Sequence, residues 1–276
     1  MLTVRPAAVA GAFYPGDAAA LSHDVAMLLA NARRPDEAAE APNVLDALPK
    51  ALIVPHAGYI YSGPVAASAY ALLEPGRDIY RRVVLLGPVH RVPVRGLALS
   101  GADAFATPLG SVLLDRDLAD KIANLPQITE SAQAHAWEHS LEVQLPFLQQ
   151  VLADFTLLPL AVGDATPQEV AEVLEQVWGG PETLIVISSD LSHFHTYREA
   201  QSIDSATVQA ILDLQAPISH EQACGGTPVN GLLLAARRHG LTPRLLDLRN
   251  SGDTAGDHDR VVGYAAFAFT GETAHV

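Results

Sequence analysis

Little in this sequence is cysteine, basic or aromatic. The 276 residues contain one cysteine, Cys224, so no disulfide can form within the chain and a disulfide scaffold is excluded. A chain with a lone thiol is expected in a reducing compartment, which points to the cytoplasm. Basic residues number 17 against 31 acidic ones, giving a net charge of −14. A general nucleic-acid binder needs a basic footprint, so nucleic acid is not an expected partner. No apolar run approaches the roughly 18–20 residues needed to cross a bilayer; the longest, such as Val83–Leu86, are strand-sized. The opening residues MLTVRPAAVAGAFYPGD are broken by Pro6, Pro15 and Gly16 and do not read as a signal peptide. The phosphate-binding glycine motifs GxGxxG and GxxxxGK[ST] are missing as well.

What is present is a chain 49% hydrophobic, long enough for a large core. Short apolar runs with β-branched residues and Gly or Pro borders predict strands at Ala51–Val54, Arg82–Leu86, Gly96–Ser100, Phe155–Val162, Thr183–Ile187, Arg244–Leu248 and Val261–Phe269. Helices are predicted at Asp17–Asn31, Pro64–Leu73, Asp115–Ala123, Ser140–Leu152, Thr166–Trp178, Arg198–Leu214 and Pro228–His239. Alternation of the two predicts an α/β protein with a mainly parallel or mixed sheet and helices on both faces. The Ala-, Pro- and acid-rich stretch Arg33–Lys50 reads as a surface loop within a single domain spanning residues 1–276.

Three of the predicted strands run directly into polar groups. ALIV leads to His56, RVVLL leads to His90, and TLIVI leads to Ser188, Ser189, Asp190 and His193. Ligands of open α/β sheets lie beyond the carboxyl ends of the strands. One histidine there is ordinarily a satisfied loop residue; three, from three strand ends, point to a shared site. Neutral imidazoles suit a first-row transition metal. Cys224, flanked by Gly225 and Gly226 just ahead of the Pro228 helix, is either a small core residue or a softer ligand, and a helix start favours its thiolate.

Two rival constellations exist. His135, Glu138 and His139 spell HxxEH, the inverted zinc-peptidase motif, which also requires a later carboxylate such as Glu199 or Glu221. The simpler reading makes Glu138 and His139 a capping loop ahead of the Ser140 helix. Ser62, Ser188 and Ser189 near histidines suggest a hydrolase, but no GxSxG elbow accompanies them. The SGDTAGDH stretch at 251–258 reads as a turn, or alternatively as an acidic lip to the crevice.

The blocks GAFYPGD (11–17), PHAGYIYSG (55–63), LLGPVH (85–90), EHSLEVQLPFL (138–148), SSDLSHF (188–194), CG (224–225) and the terminal SGD and VVGYAAFAF run nearly the whole chain. In them the sequence resembles the Memo-like family, protein B of the AmmeMemoRadiSam set, whose fold is related to class III extradiol dioxygenases. The resemblance implies one α/β domain and a metal pocket of His56, His90 and Cys224. Fe(II) is the first expectation for the metal, with copper or zinc as alternatives. His193 matches the catalytic histidine of the related dioxygenases, His139 looks like a second pocket histidine, and Asp190 lies beside His193. A redox enzyme on a small organic substrate is implied, in functional association with other AmmeMemoRadiSam proteins. Eukaryotic relatives are described as peptide-binding adaptors as well as redox proteins, so the alternative is a peptide- or protein-binding module. Three residues depart from the family pattern or its dioxygenase relatives: Cys224 replaces the carboxylate ligand of those dioxygenases, Arg91 a frequent second histidine, and Phe13 a common Trp.

Overall fold

The computed structural model describes residues 2–32 and 48–271, so most of the loop expected over Arg33–Lys50 lies outside the described residues. The chain opens with strand β1 (Val4–Arg5) and helix α1 (Ala18–Asn31), whose N-terminus is capped by the Asp17 carboxylate. Strand β2 (Ala51–Val54) matches its predicted bounds and is buried on both faces. Helix α2 (Tyr59–Tyr70) begins five residues before Pro64, the residue at which the sequence predicts its start. Tertiary anchors carry the helix backward: the Tyr59 N–H donates to Phe13 O at 2.8 Å and its hydroxyl to Val143 O at 2.6 Å.

Strand β3 (Arg82–Pro88) is followed by β4 (Leu97–Leu99), β5 (Ala104–Thr107) and β6 (Gly110–Leu113). Helix α3 (Arg116–Ile122), strand β7 (Ile128–Glu130) and the short helix α4 (Ala132–Ala136) come next. The helix predicted over Ser140–Leu152 is a 3₁₀ turn at Glu142–Gln144 leading into α5 (Leu145–Val151). Strand β8 (Thr156–Val162) precedes α6 (Pro167–Val177), where Thr166 and Glu169 form a capping box. The remainder is β9 (Thr183–Ser188), β10 (His193–His195), α7 (Tyr197–Leu212), α8 (Gly226–Arg238), β11 (Leu241–Asn250) and β12 (Val261–Gly271).

Nine strands form one mixed sheet in the order β10-β12-β2-β9-β3-β8-β4-β7, with β11 on β12. Its centre, β2-β9-β3-β8, is parallel, and the flanking pairs β12–β2 and β8–β4 are antiparallel. A second sheet joins β1, β5 and β6. Its strands, with β7 and β10, are two to four residues long, too short for periodicity to reveal. Alternation along β2 sends Leu52 and Val54 to the layer of α1, α2 and α5, and Ala51 and Ile53 to that of α3, α6, α7 and α8. The expected α/β architecture with helices on both faces is therefore what the chain adopts. Among the described residues no helix is long and apolar enough to cross a membrane.

Candidate metal centre

The three adjacent parallel strands β2, β9 and β3 end within one residue of register, and each places a polar residue two positions beyond its last residue. These are His56 after Val54, Asp190 after Ser188 and His90 after Pro88. Cys224 reaches the same end from the turn before α8. Its N–H donates to Asp190 O at 3.2 Å, and the next N–H, of Gly225, to Ser189 Oγ at 2.9 Å. A side chain at 225 would place its Cβ 2.6 Å from Ser189 Cβ, so only glycine lets this turn close.

Hydrogen bonding sets the orientation and the tautomer of both histidine rings. Tyr70 OH donates to Gln144 Oε1 at 2.9 Å, which orients the Gln144 amide so that Nε2 donates to Pro55 O and to Ser188 Oγ. The single hydroxyl hydrogen of Ser188 goes to Ser140 O at 2.6 Å. Ser188 Oγ can therefore only accept from His56 Nδ1, 2.9 Å away, and the lone pair of His56 sits on Nε2. His90 Nδ1 donates to Glu138 Oε1 at 2.9 Å, so the neutral form of this ring carries its lone pair on Nε2. Glu138 also accepts from the His90 N–H at 2.6 Å and the Ser140 N–H at 2.9 Å. Burial alone would raise Glu138, but the hydrogen bond and charge of His90, with those two N–H groups, bring it down to about 2.

Cys224 Sγ lies 3.2 Å from His56 Nε2, and the ligand atoms of His56, His90 and Cys224 all fall within 4.8 Å of one another. Burial, followed by the neighbouring His90 and His139, holds His56 well below the usual imidazole range, so it is neutral at pH 7. Two imidazoles, each held through Nδ1, and a sulfur are a donor set that fits a first-row transition metal, with hydrogen-bonded outer partners on both histidines. The expectation of a thiolate favoured by the helix start is not met. Burial and then the Asp190 carboxylate push the Cys224 thiol up, outweighing the hydrogen bonds from its surroundings, so proton loss must accompany ligation. The thiol is half-buried rather than freely exposed.

His139 joins the cluster, its ring stacked on His90 at 4.5 Å and edge-on to His56 at 5.5 Å, with Phe13 against it at 4.7 Å. A crevice of 330 Å³, lined by His90, Asp164, His220 and Cys224, opens onto this group. A larger cavity of 540 Å³ lies beyond Phe13, against Tyr59 and Ile60, and lacks the metal-ligating side chains.

Asp190 does not hold His193. Its Oδ1 accepts from the His56 N–H at 2.7 Å, while His193 Nδ1 donates to Leu191 O at 2.9 Å. The turn that carries both residues directs the carboxylate toward β2, and a backbone carbonyl sets the His193 tautomer instead. His193 precedes Phe194, an exposed residue with φ of +64°, the left-handed region uncommon for a bulky side chain.

HxxEH does not assemble. Helix α4 ends at Ala136, so His135 and His139 leave by different faces. His135 is buried with Nε2 donating to Ala98 O at 2.8 Å and its ring against Phe105. Among the described residues no metal-competent cluster includes His135, Glu199 or Glu221. Glu199 instead caps α7 with Thr196. The serine-hydrolase reading fails on hydrogen position, because Ser188 gives its proton to a carbonyl and His56 donates to it, the reverse of a nucleophile and its base. Ser62 bonds Ala57 O. Residues 251–258 start as a 3₁₀ turn closed by reciprocal Asn250 and Asp253 bonds, as the turn reading expects.

Sequence reasoning missed what holds the ligands in place. Glu138 read as a capping residue, and Gln144 not at all. The only available signal was position: both lie in the EHSLEVQ block, beside His139.

A family model for the Memo-like protein matches residues 5–268. A MEMO1 family protein of Aquifex aeolicus is 37% identical over 97% of this chain and 100% of its own length. One from Ignicoccus hospitalis is 35% identical over 97% and 99%. A third, from Methanosarcina acetivorans, is 36% identical over 96% and 98%. Matched over residues 5–268 by the family model and over nearly its full length by these relatives, this chain belongs to the Memo-like family.

Proposed function

We propose that the chain is a metal-dependent redox enzyme acting on a small organic substrate, with His56, His90 and Cys224 holding Fe(II). The observation that carries this reading is the pair of oriented Nε2 lone pairs converging with Cys224 Sγ, each imidazole held through its other nitrogen. When bound, the ion supplies a Lewis-acidic, redox-active centre beside the crevice. Three protein ligands leave a position for substrate or oxygen, as catalytic sites require. His139 and His193 move protons, the role imidazoles most often take in general acid–base catalysis. Asp190 holds the His56 backbone and faces the cluster with a carboxyl that burial pushes up. The related dioxygenases use a carboxylate where Cys224 stands, which extends the expected metals to copper and zinc, both acceptors of thiolate. A lone thiol needs a reducing setting, so we place the protein in the cytoplasm.

The test is metal analysis of protein purified without oxygen, followed by oxygen uptake by the Fe(II) form with catechols and other small reductants. One equivalent of metal lost in Cys224→Ser, with turnover lost in His193→Ala, is the expected result. Metal that binds with no turnover for any reductant, together with peptide binding in the crevice, would replace this reading by the binding module. Metal content unchanged in both Cys224→Ser and His56→Ala would end it.

A further inference from the structure

Arg5 and Glu142 form a buried ion pair 2.6 Å apart, with side chains 6% and 0% exposed, far along the chain from the strand-end histidines. Buried pairs of this kind are weak net stabilisers, because desolvation offsets their attraction; their better-attested use is to impose one geometry. The partners here show which geometry. Arg5 Nε donates to His135 O at 2.7 Å and an Nη to Glu138 O at 2.7 Å, gripping the backbone on both sides of the turn that presents Glu138 and His139. Glu142 accepts from the Ala8 and Val9 N–H groups and from Tyr14 OH at 2.6 Å, fastening the segment that carries Phe13. Phe13 in turn lies against the His139 ring and accepts from the Tyr59 N–H, just past His56. Arg5 is itself fixed by β1–β5 pairing and by the Phe105 ring beneath its guanidinium at 4.9 Å.

We infer that Arg5 and Glu142 are positioning residues for the metal centre: they set the orientation of Glu138, and through it the His90 ring, so that the amino-terminal segment is part of the ligand-holding apparatus. The inference rests on the ligand reading of His56, His90 and Cys224. Outer partners of metal-bound histidines are typically worth 10–100-fold in affinity. Arg5 acts one step further out, and its removal would free two backbone carbonyls and leave the buried Glu142 carboxylate without its cation.

The experiment is anaerobic Co(II) titration of the full chain, read by affinity and by the thiolate-to-cobalt absorption. Arg5→Lys keeps the charge but loses the planar fork that reaches both carbonyls at once. It should raise the Co(II) Kd up to roughly 10-fold and alter the absorption, a smaller effect than the roughly 10–100-fold expected for Glu138→Gln. Glu142→Gln keeps the shape and is the second variant should Arg5→Lys not fold. Leu174→Ala, in α6 on the opposite face of the sheet, serves as a control for lost stability. It should lower Tm while leaving the Co(II) Kd at its wild-type value. Wild-type Kd and spectrum in a folded Arg5→Lys or Glu142→Gln protein would overturn the inference. So would a Kd that rises equally in Leu174→Ala. If His56→Ala also binds Co(II) normally, the ligand assignment itself is wrong; if His56→Ala alone loses the metal, only the Arg5–Glu142 role is.

Discussion

Both ends of the parallel strands are polar, yet they do opposite things. At the amino end Lys50 donates its ammonium to Trp178 O, Gly180 O and Thr183 O at 2.5, 2.9 and 2.8 Å, and Tyr80 OH donates to Pro49 O at 2.7 Å. Every donor of that ammonium is used up within the chain, and burial lowers Lys50 to about 8. At the carboxyl end the chain instead spends Nδ1 of His56 and of His90 on internal partners and keeps both Nε2 lone pairs facing the cluster. A buried polar cluster is thus no sign of function in itself. What marks a site is coordination capacity that the fold has oriented and not consumed.

The sharpest way to break that contrast is to remove one oriented lone pair. His56→Ala should abolish metal binding, with no metal retained through gel filtration as measured by elemental analysis. Retention of a full equivalent would mean that the carboxyl end is as closed as the amino end. Next in size is His193→Ala, which should leave metal affinity nearly intact yet cost roughly 10²–10⁴-fold in turnover, the usual worth of a positioned acid or base. If it loses the metal as fully as His56→Ala, His193 belongs among the ligands.

His135 sharpens the comparison between consumed and available histidines within one motif. Burial lowers its pKa from 6.5 to about 4. The folded pKa lies below the unfolded one, so stability is full above pH 6.5 and falls as pH drops toward 4, where the unfolded chain takes up a proton and the folded one does not. The difference amounts to about 3 kcal/mol at most, at 1.36 kcal/mol per pKa unit. His135→Gln, which cannot take up that proton, should show a shallower loss of unfolding free energy across this window in urea melts at several pH values. Equal slopes in the two proteins would show that His135 is not charged-state sensitive.

The smallest effect is expected at the amino end. Lys50→Met leaves carbonyls unpaired and should cost about 1–3 kcal/mol of stability while metal affinity stays unchanged. A change in affinity would join the two ends of the sheet in a way their hydrogen bonding does not.

Much of this molecule was legible before any coordinates. Runs such as ALIV and TLIVI are apolar on both faces, which only a sheet covered on two sides accommodates, and the strands they became lie at its centre. Histidines at the ends of two such runs and a third on the loop after another are placed by chain order alone, because parallel strands must deliver their carboxyl ends to one edge; Cys224 stands out as the lone thiol, just ahead of two glycines. The helix predicted at Ser140 failed where a local pattern met a distant partner: Glu142 turns inward to Arg5, 137 residues away, and the chain enters α5 through a 3₁₀ turn.

The sequence by itself determined the layers, the order of the elements and the edge at which the histidines gather, because hydrophobic periodicity and connection rules act over short stretches. Only the tertiary structure decided which nitrogen of each ring is free. That choice depends on where Ser188 sends its one hydrogen and on which side chain faces His90, bonds that join residues 132 and 48 positions apart. It also decided that Asp190 serves His56 rather than His193, and that His135 and His139, four residues apart, belong to different environments. Hydrogen-bond valence is settled atom by atom in three dimensions, and no spacing along the chain encodes it.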